Sequence, residues 1–201
     1  GKDVSSGGQI PWEVLEPDME DAGRPIWGVS CDQIQVEYLK TLNSKRKQRF
    51  GDSVSVSGDR MAVGAPLEAS CANGTHPPGS QTDHSCENAG AVYVFERYEQ
   101  TGRWRQVAYL KASNSEAHDW FGDSVSLSGD RLAVGADKED SCADGIDPAL
   151  GQTDNACVNA GAVYVFERDA RMETWSQTAY LKASNSETWD IFGSSVSLSG
   201  D

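Results

Sequence analysis

Four cysteines stand in two pairs of identical spacing, and their chemistry is the most restricted in this sequence. Cys71 and Cys86 are separated by 15 positions, and so are Cys142 and Cys157. A disulfide across a loop of this length removes about 3 kcal/mol of unfolded-state freedom. Disulfides persist in oxidising compartments, so paired cysteines predict an extracellular, cell-surface or periplasmic location. Cys31 is left over, as a free thiol or as the partner of a cysteine elsewhere.

Zinc is the competing chemistry for the first cysteine pair. His76 and His84 lie between its two cysteines, and all four side chains are zinc ligands. The stretch around the second pair keeps both cysteines but carries Asp147 and Asn155 at the positions of the two histidines. Cysteines that recur without the histidines favour disulfides over zinc.

An acidic loop surrounds the second cysteine pair, and carboxylate oxygens are ligands that calcium prefers. A loop pinned by a disulfide could gather several of them around one ion. The first loop keeps only Glu68 and Asp83 at the corresponding positions, so solvated loop acids are the competing interpretation. The tripeptide Gln-Thr-Asp, which ends at Asp83 and again at Asp154, is more simply a turn cap. The six candidate calcium ligands are Asp137, Glu139, Asp140, Asp144, Asp147 and Asp154.

Three further features could bind something, and each has a simpler interpretation. Asn73 begins the tripeptide Asn-Gly-Thr, which fits an N-glycosylation acceptor on a loop. The basic run Lys45–Arg49 could contact an acidic neighbour, including a second copy of the chain, or could be a solvated loop. Trp120 and Trp189 each precede a Phe-Gly pair by a short distance, and they form either a binding face or local packing.

The overall charge excludes some partners and favours others. The formal net charge is −14, which repels nucleic acid and anionic membranes and attracts cations or basic partners. No apolar run approaches the roughly 20 residues of a membrane helix, so no membrane insertion is expected. The chain has no Gly-x-Ser-x-Gly elbow, phosphate loop or metalloprotease helix, and none of its three histidines recurs in register. The sequence therefore predicts a protein that is not an enzyme.

The elements that position these residues repeat along the chain. Phe50-Gly, Phe121-Gly and Phe192-Gly are spaced by 71 residues, and 46 of 71 positions are identical between residues 50–120 and 121–191. Repetition at this level requires one shared backbone for the two units. The mismatches cluster in the loops, where binding function is usually carried on a rigid scaffold, although unconstrained drift would give the same pattern.

Each unit reads as four short antiparallel strands. In the second unit Asp123–Ser128 alternates polar and apolar residues, Gly129-Asp130 is a tight turn, and Arg131–Ala136 follows. Gly161–Arg168 is rich in β-branched and aromatic residues, and Trp175–Ser184 is the fourth strand. Four strands at a fixed period are typical of β-propeller blades, which bury their faces against neighbouring blades.

Three separated motifs resemble the FG-GAP repeat, which forms blades of the integrin alpha-subunit type of propeller. They are Phe-Gly at the start of each unit, Ala-Val-Gly-Ala with Pro66 or Asp137, and Gly-Ala-Val-Tyr-Val-Phe from Gly90 and Gly161. The secreted bacterial branch, with a cysteine-bearing loop in each blade, is most similar. The resemblance implies an extracellular scaffold, usually seven-bladed, for adhesion or ligand binding. The family's calcium loop between the first two strands is not expected here, because Ser128-Gly129-Asp130 is too short to surround the ion.

Two whole units cannot close a propeller ring, so we expect either a piece of a longer array or blades completed between copies. The predicted organisation is a lead segment (1–33), a last strand with its linker (34–49), two blades (50–120 and 121–191) and a first strand (192–201). The leading function is a scaffold that binds protein or glycan through inter-strand loops. The alternatives are self-association through open blade edges as a structural subunit, and the accessory part of a larger secreted hydrolase.

Overall fold

The computed structural model describes residues 37–41, 47–76, 83–147 and 151–200. By its contacts the chain divides into two units, residues 1–35 and 36–201, and everything described belongs to the second. Apart from one 3-10 turn at Gly151–Thr153, the regular structure described is all β. The strands are β1 (Val54–Ser57), β2 (Arg60–Ala65), β3 (Thr75–His76), β4 (Ala91–Arg97), β5 (Trp104–Leu110), β6 (Ser124–Ser128), β7 (Arg131–Ala136), β8 (Ala162–Asp169) and β9 (Thr174–Leu181).

The strands form two antiparallel sheets, which confirms the prediction of four-stranded blades. The first blade has the strand order β1-β2-β4-β5-β3, and the second has the order β6-β7-β8-β9. Both hairpins at the start of a blade turn on Gly-Asp, and Gly58 and Gly129 have φ of 57° and 56°, which suits glycine. The short strand β3 belongs to the first cysteine loop and covers the outer edge of β5.

The two stretches expected to be strands of partial blades are not strands here. Residues 37–41 have no regular structure, and residues 192–200 carry only an isolated bridge between Phe192 and Gly161. A strand needs a hydrogen-bonded ladder, and the described residues supply no such partner for either stretch. Their assignment to partial blades stays a prediction, and residues 1–33 lie outside the described residues.

The two blades stack face to face, and their shared core lies between them. Ala62, Val92, Val94 and Leu110 of the first blade pack in one buried cluster with Leu127, Leu132, Val134 and Phe166 of the second. Period-2 alternation in each strand places these residues on the facing sides of the two sheets. Packing of one sheet face on the next is how propeller blades bury apolar surface that a single blade would expose.

The Phe-Gly and Gly-Ala motifs meet at the contact between blades. The backbone of Phe121 and Gly122, which begin the second blade, lies directly against Gly64 and Gly90 of the first. A Cβ atom on either Gly64 or Gly90 would overlap the carbonyl oxygens of that backbone. The recurring glycines are therefore required by close approach of one blade to the next.

Serine hydroxyls at the first strand of each blade form hydrogen bonds to the backbone of the next repeat. Ser53 Oγ donates to the Gly122 carbonyl at 2.7 Å, and Ser55 Oγ accepts the Leu127 amide at 2.9 Å. The second blade repeats the pattern, since Ser126 Oγ accepts the Leu198 amide at 2.9 Å. In β6 the alternation therefore places Leu127 in the core and Ser126 against the backbone of the following stretch.

Candidate functional site

Two kinds of loop leave the same end of each blade, which we call the loop end. The cysteine loop joins β2 to β4, and the entry turn, 111–123 in the first case, joins β5 to β6. Because β4 runs antiparallel to β2 and β5, both connections lie at the same end of the strands. The amides of His118 and Trp120 donate to the carbonyls of Glu87 and Asn88 at 2.8 and 3.1 Å. These bonds hold the two loops together as one surface.

Both predicted disulfides are present, one in each cysteine loop. Cys71 is bonded to Cys86 with a Cα–Cα distance of 4.9 Å, and Cys142 is bonded to Cys157 with a distance of 4.8 Å. Oxidised cysteines offer no thiolate to a metal, so the zinc alternative is wrong. His76 instead makes a 2.7 Å hydrogen bond with the Asn73 carbonyl. Cys31 lies outside the described residues.

The aspartates of the Gln-Thr-Asp tripeptides cap the cysteine loops. Asp83 Oδ2 accepts the Cys71 amide at 3.0 Å, and Asp154 Oδ2 accepts the Cys142 amide at 3.2 Å. Hydrogen bonds from the Ser85 hydroxyl and the Cys71 amide lower the pKa of Asp83. Each aspartate also caps its own turn, since Asp83 Oδ1 accepts the Ser85 amide and Asp154 Oδ1 accepts the Ala156 amide, both at 3.1 Å. The turn-cap interpretation is therefore confirmed for both aspartates.

Sequence reasoning missed a buried ion pair beneath each cysteine loop. Glu68 and Lys111 have fully buried side chains, and Lys111 Nζ lies 3.1 Å from Glu68 Oε2. The Tyr109 hydroxyl donates to the same carboxylate oxygen at 2.8 Å. Burial lowers the pKa of Lys111, and burial together with Glu68 raises the pKa of Tyr109. Through Tyr109 and Lys111, Glu68 ties the cysteine loop to the end of β5 and the start of the entry turn.

The second blade repeats this ion pair and extends it to its neighbour. Lys182 Nζ lies 2.7 Å from Glu139 Oε2, and the Tyr180 hydroxyl donates to Glu139 Oε1 at 2.8 Å. Asn114, from the entry turn before the second blade, donates to Glu139 Oε1 at 3.2 Å and accepts the Tyr164 hydroxyl at 2.7 Å. The signal in the sequence was a glutamate and a lysine that recur in register beside apolar strands.

The structure does not bring the six candidate calcium ligands together. Glu139 is in the buried ion pair, and the carboxylates of Asp140, Asp144 and Asp147 accept the amides of Asn159, Ser186 and Tyr180. Asp154 caps Cys142, and Asp137 lies 3.7 Å from Lys138. Within residues 37–41, 47–76, 83–147 and 151–200, no three His, Cys, Asp or Glu side chains are grouped as a metal ion needs. Calcium binding by this loop stays a prediction to which the geometry adds no support.

The other candidates lie on or beside the loop end. Asn73 is exposed, as a glycosylated asparagine must be, and its Oδ1 accepts the Ser115 amide at 3.0 Å. Arg49, the last residue of the basic run, makes an exposed 3.5 Å ion pair with Asp52, and Lys45 lies outside the described residues. Asp119 is buried in the entry turn, and burial raises its pKa to about 8.

Trp120 and Trp189 converge although they occupy different positions in their repeats. The ammonium of Lys138 lies 5.7 Å from the centre of the Trp120 ring and 5.9 Å from that of Trp189. Trp189 is 65% exposed, and Lys138 is partly exposed between the two rings. The structure thus places a cation between the two indoles, at distances within the range of cation–π attraction.

Comparison with known families agrees with this architecture. The family model of the FG-GAP repeat matches residues 43–95 and 104–166, which together make up more than half of the chain. The chain belongs to the FG-GAP repeat family. A search among curated proteins finds no relative. FG-GAP repeats build propeller-like interaction domains, and in this chain the two disulfides fit the expectation of one cysteine-bearing loop in each repeat. Among the described residues, no helix has the length and apolar character to span a membrane.

Proposed function

We propose that this FG-GAP chain is a non-catalytic extracellular scaffold that binds protein or glycan ligands through its loop end. Rigid loops on a repeated framework are the usual location of binding function, and here both loop types of each blade lie at one edge. Disulfides in both cysteine loops support an oxidising, extracellular compartment.

One observation carries this proposal: residues that hold the loops are repeated, whereas residues displayed on them differ. The ion pair, the aspartate cap and the disulfide occur in both blades. The displayed side chains change, since Leu67 of the first cysteine loop corresponds to Lys138 of the second. Binding surfaces of different specificity need this combination, in which the residues that hold the loop stay the same and the side chains exposed on it differ.

Exchange of one loop tests the proposal directly. Residues 143–156, which lie inside the second disulfide, would be replaced by residues 72–85 from the first, because the two segments have equal length and identical anchors. The native and exchanged chains would be applied to arrays of purified extracellular proteins and purified glycans. We expect the native chain to bind a ligand that the exchanged chain loses.

The matched control changes the opposite end of the blades. Residues 98–103 join β4 to β5 there, and residues 169–174, one period later, contain the turn between β8 and β9. Exchanging the first segment for the second leaves the loop end intact. Binding that survives the loop exchange but is lost in this control would place the ligand away from the loop end and refute the proposal. So would the absence of any ligand on either array.

A second candidate function, self-association through an open blade face, is favoured by a separate observation. Val54 and Val56 of the first blade are 53% and 56% exposed. Their equivalents Val125 and Leu127 pack against the first blade, and Leu127 is only 5% exposed. The first blade therefore exposes a face whose equivalent in the second blade is buried against a neighbouring blade. A blade of a second copy is a complementary partner for that face.

Solution mass separates this candidate from the first. Light scattering over a range of concentrations should show reversible growth beyond the 21.7 kDa monomer if copies stack through this face. Val56→Asp should abolish that growth without loss of folding, whereas Val158→Asp, at an exposed residue of the second cysteine loop, should not. A monomer at all concentrations would exclude self-association and leave the ligand-binding proposal standing.

A further inference from the structure

The two tryptophan rings and Lys138 form a small aromatic cage on the loop end. Both rings lie within 6 Å of the same ammonium, which is the range of cation–π attraction. Trp120 and Trp189 come from successive entry turns, and Lys138 opens the cysteine loop between them. The occupant seen in this cage is the protein's own cation.

The framework does not require these aromatic side chains. One period earlier, Arg49 stands for Trp120 and His118 for Trp189, and Leu67 stands for Lys138. The backbone is unchanged, because Arg49 and Trp120 have φ of 52° and 60°. Residues other than glycine are strained in this left-handed region, whether or not their side chains are aromatic. The cage is therefore a feature added to one blade, and the first blade is its natural comparison.

The exposure of Trp189 is a property of its position. Its counterpart His118 is also exposed, although the second blade lies directly beside it. A further blade packed beside Trp189 would thus leave the ring open, as it does at His118. A large indole held open on a tied-down turn has apolar surface available for a ligand.

The charge around the cage favours a positively charged ligand. Asp137 Oδ2 lies 3.7 Å from the Lys138 ammonium, and Asp137 is only 8% exposed. In the part of the chain that the structure describes, Asp137 Oδ1 is buried and has no hydrogen-bond partner. The whole chain carries a net charge of −14, which adds long-range attraction for cations.

We propose that Trp120, Trp189 and Asp137 form a binding site for a methylated ammonium group, with Lys138 as the resident occupant that the ligand displaces. A methylated ammonium is less strongly hydrated than the lysine ammonium and presents apolar surface to both rings. Aromatic cages are suited to such ligands for this reason. The inference deepens the proposed function, because the site is part of the same loop end.

Calorimetric titration of the full chain with choline tests the site. We expect saturable binding that Trp189→Ala weakens at least tenfold. Lys138→Met removes the resident cation with little change of length, and it should strengthen binding at least threefold. The uncharged analogue 3,3-dimethyl-1-butanol has the same shape and should not bind measurably. His118→Ala, at the equivalent position of the first blade, should leave choline binding unchanged. A peptide that carries trimethyllysine, titrated in parallel, separates a protein-borne ligand from a free one.

Several results would overturn the inference. Choline that binds neither the native chain nor Lys138→Met excludes the site, provided that both proteins show the native unfolding transition. Equal binding of choline and its uncharged analogue means apolar contact without recognition of charge. If a glycan from the array depends on Trp189 while choline does not bind, the cage is a glycan site. In that case this inference fails and the proposed function stands.

Discussion

The ion pair beneath the second cysteine loop leads to a quantitative prediction. The side chains of Glu139 and Lys182 are 2% and 0% exposed, and their charged atoms are 2.7 Å apart. Removing one partner of such a pair costs about 3–5 kcal/mol, because the other charge is left buried. The two single substitutions, however, should not cost the same amount.

The asymmetry follows from the remaining hydrogen bonds. In Lys182→Met the Glu139 carboxylate keeps donors from Tyr180, Asn114 and the Ser141 amide. In Glu139→Gln the lysine ammonium loses the negative charge that pairs with it and stays buried. Hydrogen bonds to a charged group contribute about 1.5–3 kcal/mol each. We therefore expect Glu139→Gln to cost about 3–5 kcal/mol and Lys182→Met to cost about 1–3 kcal/mol.

Urea unfolding followed by tryptophan fluorescence measures both costs, with equal m values as the check that the same surface unfolds. The double variant completes a cycle and should be less destabilised than the sum of the two singles. Glu68→Gln is the matched control, because Lys111 keeps the Gly90 carbonyl as an acceptor and should lose less. A cost for Glu139→Gln below about 1 kcal/mol, or below that of Lys182→Met, would refute this reasoning.

Three further predictions concern the blade contact, the disulfide and a buried acid. Gly64→Ala should unfold the chain or cost more than about 3 kcal/mol, whereas Gly58→Ala, with open space around it, should cost about 1 kcal/mol by urea titration. Replacing Cys142 and Cys157 by alanine should cost about 3 kcal/mol in the same assay, and no loss would mean that the loop is held without its disulfide. Asp119, with its pKa raised to about 8, binds a proton in the folded state that the unfolded state releases near pH 4. Stability should therefore fall as pH rises from about 4 to about 8, and Asp119→Asn should flatten that slope in thermal unfolding; an unchanged slope would contradict the burial effect.

Much of the fold could be predicted because the two repeats can be aligned with each other, which separates repeated positions from variable ones. The strands of the two blades were predicted closely because alternation and the Gly-Asp turns are local signals. The sequence predicts a fourth strand that extends to Ser184, but β9 ends at Leu181, after which Lys182 and Ala183 bond to Gly145 of the cysteine loop. The disulfides could be chosen over zinc because the second unit keeps its cysteines without histidines.

The remaining features depend on contacts that no single stretch of sequence contains. Acidic residues in a loop suggest metal ligands, but Asp140, Asp144 and Asp147 are engaged by backbone amides that only the folded loop brings near. Trp120 and Trp189 do not align in the repeat, yet they meet because entry turns of neighbouring blades lie side by side. Position within a repeat therefore predicts backbone well and side-chain neighbours across blades poorly.

The repeated motifs and the variable residues obey one physical constraint. Gly64, Gly90 and Gly122 cannot change because backbone contacts backbone where the blades meet, and the ion pair and disulfide cannot change without loss of the loop's support. A residue such as Trp189 sits on a turn whose backbone amide is bonded to the Val158 carbonyl of the cysteine loop, and its side chain is 65% exposed. Selection for binding can therefore act at the loop end without cost to the core. This separation explains how one blade can carry an aromatic cage while its neighbour, on the same backbone, carries arginine and histidine.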